Sequence, residues 1–483
     1  MLAPEKLPSK LIKNSFGDGI FATVFATLTS GVFLTGFALY LGMSEFAIGL
    51  LAAMPYAATL FQLPASILIT RTGRRKKITV FNAAFGRLTW LLILAVALLP
   101  VASPALKITL VLVLIFLSHA FVSISYVAWF SWTSDLVPDR LLGRFFGTRN
   151  MINGIAGMVA IVGFGYLLDY LTRNAPDGQI RGFSLIFISA VACGIISVGF
   201  LKRVADPVKS EAKYSPTRLA DFRKPLRRKN FKFFLTYSML WNFSVYFASP
   251  FFTLYFLRDL GFSYAFVSTM GMISALADLT AMRLWGSISD RVRNKTVIQA
   301  CSWITVFLPF LWTFVRPGHV VLPVLLHILG GAFWAGIHLC ANNLVLRITP
   351  REERAICFSL HNILAGIGAT AAPIAAGLAI EILGTVDLQL LHPAITPLRL
   401  VFVASTVLRL CSLQLLNFVQ EPEEIPVRQL IRILRNVRGL NAANGFQALL
   451  HPFVEAPVPD KVSTGESKSD GEASKDRSDE VSS

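Results

Sequence analysis

Residues 108–132 read ITLVLVLIFLSHAFVSISYVAWFSW, twenty-five in a row without a charged side chain. A helix crosses the hydrocarbon core of a bilayer with roughly 20 mostly apolar residues, because lipid offers backbone N–H and C=O groups no partner outside the helix. Working outward from this stretch, runs of comparable length recur at 16–41, 45–69, 78–100, 146–169, 182–201, 231–257, 263–288, 296–315, 319–346, 356–383 and 398–419. Twelve spans are expected. Reading them as core helices of a soluble protein would require a polar outer layer, and the composition does not supply one. Of 483 residues, 54% are apolar and 15% charged, against about 25% charged in ordinary soluble domains. This excludes a disordered chain and argues against a soluble multidomain enzyme. The 45 Lys and Arg outnumber 28 Asp and Glu, for a net charge of +17. A nucleic-acid binder would gather such an excess on a folded polar surface. Here it lies in short runs between apolar stretches, the pattern of basic loops on a membrane protein.

The loop charges set an expected orientation. Loops after even-numbered spans hold Arg71, Arg74, Arg75, Lys76 and Lys77, then Arg140 and Arg144, then Arg291, Arg293 and Lys295, then Arg347, Arg351 and Arg354. The stretch between the sixth and seventh spans adds ten basic residues from Lys202 to Lys229. Loops after odd-numbered spans carry at most one or two. By the positive-inside bias both termini and the long middle loop are expected on the cytoplasmic side of a cytoplasmic (inner) membrane. The first run follows Lys6, Lys10 and Lys13 but is too long for a signal peptide, so it reads as a retained span. Cys193, Cys301, Cys340, Cys357 and Cys411 all fall in apolar runs without metal-type spacing, as packing residues do. Near the C-terminus, Val427, Leu430, Ile431 and Leu434 share one helical face, opposite Arg428, Arg432 and Arg435. That pattern fits a helix lying on an anionic leaflet or packed on the base of the bundle. Residues 459–483 carry no apolar pattern and read as disordered.

The chain repeats itself. Leu41-Gly42-Met43-Ser44 returns as Leu260-Gly261-Phe262-Ser263 at an offset of 219, and Thr70-Arg71 matches Asp290-Arg291 at 220. Asp135-Leu136-Val137-Pro138 matches Arg347-Ile348-Thr349-Pro350 at 212, and at that offset Phe146, Asn150, Gly154 and Gly165 meet Phe358, Asn362, Gly366 and Gly377. The expected organisation is an N-terminal six-helix bundle (1–201), a basic linker (202–230), a C-terminal six-helix bundle (231–420), a cytoplasmic amphipathic segment (421–458) and a tail (459–483). Parallel repeats of this kind hold a binding site between the halves near the midplane.

At these residues the sequence resembles the major facilitator superfamily, over roughly residues 15–420. The family signature Gly-x-x-x-Asp-Arg-x-Gly-Arg-Arg/Lys is approached by Ser66 to Thr70 followed by Arg71-Thr72-Gly73-Arg74-Arg75-Lys76. It is approached again by Gly286-Ser287-Ile288-Ser289-Asp290-Arg291-Val292-Arg293-Asn294-Lys295. The resemblance implies an all-α membrane protein, twelve transmembrane helices arranged as two six-helix pseudo-repeats, moving a small organic solute by alternating access. It implies that Asp290 with Arg291, and Arg71 with Asp135, hold the cytosolic gate, with Gly73, Arg74 and Gly286 completing the motif. Thr70 offers no carboxylate, so the first-half latch should be the weaker; alternatively, these basic loops serve topology alone. The Gly-Pro motif of the family's drug antiporters is missing from the fifth span, which has Gly154, Gly157 and Gly163 but no proline.

Charges inside spans are costly and draw attention as functional candidates. Arg87 lies ten residues beyond Lys77, about 15 Å into the core. Asp278, twelve residues before Asp290, and Arg409 also lie near mid-height. Asp278 reads either as a proton- or cation-coupling group or as a structural partner of Arg283 or Arg409. Arg87 reads as a contact for an anionic substrate group or as a tie between helices, and Asp18 as a helix-start cap ahead of a coupling site. The resemblance places the first, fourth, seventh and tenth spans around a cavity. Helical spacing gives three of these a polar stripe: His119, Ser123 and Tyr126; Asn242, Tyr246, Ser249 and Thr253; and His327, Trp334, His338 and Asn342. Each stripe lines the cavity or glues helices together.

No G-x-x-x-x-G-K-[ST] loop is present, so ATP drive is not supported. The leading expectation is a proton- or cation-coupled secondary transporter, and the alternative a twelve-span sensor or lipid-handling protein that does not pump. An enzyme is not expected: Asp169, Asp177, Asp259 and His392 are too scattered for a catalytic cluster. Nor are a cofactor, a metal or nucleic acid. The expected partners are a small-molecule substrate, protons and the bilayer, around a monomeric chain.

Overall fold

The computed structural model describes residues 8–99, 103–206, 223–385 and 396–422. Among them every regular element is helical. The first span is two helices, α1 (Ser9–Leu28) and α2 (Gly31–Tyr40), and the second is α3 (Glu45–Ala57) and α4 (Gln62–Thr72). Then follow α5 (Arg75–Leu98), α6 (Pro104–Leu136), α7 (Asp139–Asn174) and α8 (Gly178–Arg203). After a short α9 (Arg223–Leu226) come α10 (Lys229–Leu254), α11 (Tyr264–Val292), α12 (Asn294–Trp312), α13 (Val321–Ile348), α14 (Arg354–Gly384) and α15 (Pro397–Leu415). Eleven described segments are long and apolar enough to cross a membrane. The remaining long helix, α10, has the length at 26 residues, but Ser238, Asn242, Ser244 and its tyrosines dilute its apolar character. The amphipathic segment at 427–437, the tail and residues 207–222 of the linker lie outside the described residues.

Two spans expected to be continuous are broken. Thr29 and Ser30 turn their hydroxyls back onto Phe25 O (2.8 Å) and Ala26 O (2.7 Å), and Gly31 takes φ +56°, which separates α1 from α2. Hydroxyls that bond the preceding turn compete with the helix ladder. In the second span Pro55 precedes a 3₁₀ turn at Ala58–Phe61, because proline removes a donor from the ladder.

The repeat seen in the sequence is a repeated turn. Gly42 (φ +71°) and Gly261 (φ +64°) both occupy the left-handed region. The hydroxyls of Ser44 and Ser263 then cap the next helices, accepting from Ala47 N (3.3 Å) and Phe266 N (3.2 Å). A second pair is unequal. Gly73 ends α4 at φ +62°, whereas its counterpart Arg293 sits at φ 79°, ψ 162°, a conformation almost restricted to glycine. Arg293→Gly is therefore expected to raise stability by about 1 kcal/mol, strain relief outweighing glycine's greater unfolded-state entropy. Thermal melting of the purified protein reads this, and an unchanged or lower melting temperature would show that the arginine is not strained.

The halves meet at the end opposite the basic loops. There α14 packs on α3, and α11 on α7. Glycines set the approach distance: a Cβ on Gly49 would strike Pro373 O, one on Gly377 would lie 2.7 Å from Glu45 O, and one on Gly165 would lie 2.6 Å from Ser268 Oγ. Small residues that bring backbones together are the usual glue between helices in lipid. Polar groups clasp the same end. Asp169 of α7 accepts hydrogen bonds from Tyr264 N (3.0 Å) and Ala265 N (2.8 Å) at the start of α11, and Arg258 donates to Glu45 Oε1 at 2.6 Å. Toward the basic end, α4 instead packs within its own half on α6 and α5, and Gly143, Gly147 and Gly154 face open space.

Candidate functional site: a cavity and two buried charge centres

A cavity of about 350 Å³ opens among the helices of the second half. Tyr246, Ser249 and Phe252 reach it from α10, Ser274 from α11, Pro309 and Trp312 from α12, His327, Trp334 and His338 from α13, and Arg409 from α15. Its size and its mixed wall of apolar, aromatic and polar side chains suit a small organic ligand. The α13 stripe builds one side: Trp334 stacks on His338 (centroids 5.3 Å, 28°), and His327 stands edge-on to Trp312 (5.3 Å, 86°). His327 Nδ1 donates to Pro323 O at 3.0 Å, which leaves Nε2 as an acceptor. Tyr246 meets Tyr56 of the first half at 4.6 Å between centroids, so one wall touches the junction of the halves.

The sequence stripes thus divide. Tyr246, His327, Trp334 and His338 line the cavity, whereas Asn242, Asn342, His119 and Tyr126 do not. Asn242 bonds Ser238 O within its own helix, and Asn342 is exposed. His119 has its Nε2 buried and unbonded, and Tyr126 is 54% exposed beside Trp129 and Phe130. Asp278 of α11 is half-buried and lies within electrostatic reach of His338.

The first half holds a buried charge cluster. Asp18 is not a helix cap: α1 begins at Ser9, so Asp18 lies well inside it, 3% exposed. Its carboxylate accepts from Arg149 Nη2 (3.1 Å) and Ser197 Oγ (2.5 Å). Arg149, 8% exposed, also donates to Ser15 O (3.2 Å) and covers the Trp129 ring at 4.4 Å. Arg87 donates to Gly194 O (2.8 Å), and its charge also acts on Asp18. A Cβ on Gly194 would lie 2.8 Å from Arg87 Cδ, so that glycine makes room for the side chain. Arg149 escaped the sequence reading because it stands beside a basic loop, where a charge serves topology equally well.

At the basic end, Asp135 pairs with Arg75 rather than with Arg71. The left-handed turn at Gly73 ends α4 after Arg71, whereas Arg75 opens α5, which packs against α6 and so meets Asp135 near its end. Arg71, Arg74, Asp290 and Arg291 are exposed and have no ion-pair partner among the described residues. Glu421, fully enclosed, accepts from Asn294 Nδ2 (2.8 Å) and Lys295 N (2.7 Å) and so caps α12. It is another contact the sequence did not announce.

Among curated protein sequences none matches this chain. Solved structures do, at low identity. A nucleoside transporter, solved as a point mutant, superposes with a TM-score of 0.68 at 15% identity, covering 85% of this chain and all of its own. A bacterial homologue of the human lysosomal transporter Spinster gives 0.62 at 15%, covering 85% and 95%. A D-xylose–proton symporter gives 0.63 at 13%, covering 86% and 98%. These likenesses establish the fold. The sequence model of the Major Facilitator Superfamily matches twice, over residues 19–257 and 239–452. With its repeated halves and apolar helices, this chain is a multi-pass membrane protein that belongs to the major facilitator superfamily, a family of transporters.

Proposed function

We propose that this protein is a secondary transporter that moves a small organic solute by alternating access, coupled to a proton or another cation. In this reading the termini and basic loops face the cytoplasm, the membrane is the cytoplasmic one, and the arrangement described is open inward. One observation carries it: the halves are clasped at one end by Gly49, Gly165, Gly377, Asp169 and Arg258, while toward the other, among the described residues, α4 packs within its own half and Gly143, Gly147 and Gly154 face open space, beside a cavity that reaches the junction of the halves. Rocking about that cavity would close the basic end, where the now exposed Asp290, Arg291 and Arg71, with Gly73, Arg74 and Gly286, are the gate-forming motif, and Asp135 with Arg75 braces the first half.

The named activities of the similar structures, a nucleoside transporter and a D-xylose–proton symporter, agree with a small polar or aromatic solute and with proton coupling. The coupling group proposed is Asp278, which does not line the cavity itself but lies within electrostatic reach of the lining side chain His338, away from the enclosed ion pair of the first half. In proteoliposomes, solute uptake should carry protons with it or against it. Asp278→Asn is expected to abolish solute-linked proton movement, and equal proton movement by variant and wild type would remove Asp278 from that role.

A further inference from the structure

The two halves bury arginines at matching places but neutralise them differently. In the first half, Arg87 of the third span donates to Gly194 O of the sixth. In the second half, Arg409 of the twelfth span donates to Thr305 O of the ninth at 2.9 Å. The same pair of spans is bridged, from the opposite helix. Asp18 supplies the carboxylate in the first half. At the repeat offsets of 219 and 220, its counterparts in α10 are Tyr237 and Ser238, and Arg149 is replaced at 212 by His361. The structure keeps that contact in neutral form: Ser238 Oγ and His361 Nδ1 are 3.0 Å apart. The second half has therefore kept a buried cation and lost the acid.

Arg409 is 3% exposed, and its Nε is buried without a hydrogen-bond partner. No described carboxylate acts on it electrostatically, and no acidic residue lines the cavity it borders. Its guanidinium carbon lies 5.8 Å from the centroid of Trp334. An enclosed cation without a counter-ion is strongly disfavoured, whereas the guanidinium fork is matched to planar oxyanions. We propose that the cavity takes a planar, aromatic organic anion, its carboxylate on the free edge of Arg409 and its ring among Trp334, Trp312 and Phe252. This rests on reading the cavity as the solute site. Ser274, His327 and His338 would then select among ring substituents.

Matched pairs of probes test charge without altering the protein: benzoate against benzamide, and indole-3-acetate against indole-3-acetamide. Binding to the purified full chain is read by isothermal titration calorimetry, with chloride and sulfate as further arms. The acids are expected to bind at least about tenfold more tightly than their amides. Arg409→Gln should erase the difference, and Arg409→Lys should keep part of it. Amides equal to acids, no response to either acid, or a site saturated by chloride alone that the acids cannot displace would overturn the proposal. Acids that bind with the expected preference yet are not carried into liposomes would fault the transport reading and leave this one standing. A neutral solute carried with no preference for acids would do the reverse.

Discussion

Asp18→Asn is expected to cost about 3–5 kcal/mol of stability, the loss seen when one partner of an enclosed ion pair is removed. The size follows from what remains. Arg149 keeps its bond to Ser15 O and Arg87 its bond to Gly194 O, but two enclosed cations then face no carboxylate. The amide keeps one acceptor oxygen, which cannot serve both Ser197 and Arg149 as the carboxylate does. Removing a cation as well should recover part of the loss: Asp18→Asn with Arg149→Met leaves one buried arginine, the charge state that the second half tolerates at Arg409. Thermal melting of the purified chain measures both variants. A cost under about 1 kcal/mol for the single variant would place the pair among weakly contributing ion pairs, and no recovery in the double variant would show that Arg149 is not the cation at issue.

Asp169→Asn should shift the population between arrangements more than it shifts folding. The carboxylate closes two hydrogen bonds onto the first turn of α11, from the other half of the molecule. Hydrogen bonds to a charged group contribute about 1.5–3 kcal/mol, and the helix N-terminus adds to the preference for an anion. Loss of about 2 kcal/mol from the clasped arrangement moves the equilibrium about thirtyfold toward opening at that end. Ser268 is fully buried under Gly165, so a cysteine there reports the opening. Its modification by a membrane-impermeant thiol reagent should accelerate by a similar factor in the Asp169→Asn background. An unchanged rate would mean that Asp169 merely decorates a contact held by glycine packing.

These expectations divide along a line set by the physics of reading a sequence. Residues 41–44 and 260–263 were legible because a left-handed glycine and a serine cap act within one turn, and the structure puts both pairs to the same use. The spans were legible from lipid's demand for unbroken backbone bonding. The breaks at Thr29–Ser30 and Ala58–Phe61 were not, since hydroxyls and one proline look tolerable inside an apolar run. Asp18 resembled a cap because the apolar run begins at Phe16, but the helix starts a turn or two earlier, at Ser9. Choosing Arg75 from five neighbouring cations for Asp135 required knowing where the turn at Gly73 aims the chain. Arg409 announced itself as a charge in a span. That no acid among the described residues acts on it became visible only when its neighbours were in place. Asp169 read as a scattered charge until the fold set it against the start of α11.

In the proposed transport cycle the two halves swing about the cavity and release the clasp at the end opposite the basic loops on every turnover. Glu45→Cys and Arg258→Cys, joined in proteoliposomes by a short, reducible bis-methanethiosulfonate linker, hold that clasp shut where the native side chains meet at 2.6 Å. Solute uptake should stop when the linker is in place and return when it is reduced, while each single cysteine variant continues to transport. Uptake that proceeds at an undiminished rate with the clasp covalently closed would contradict such a swing.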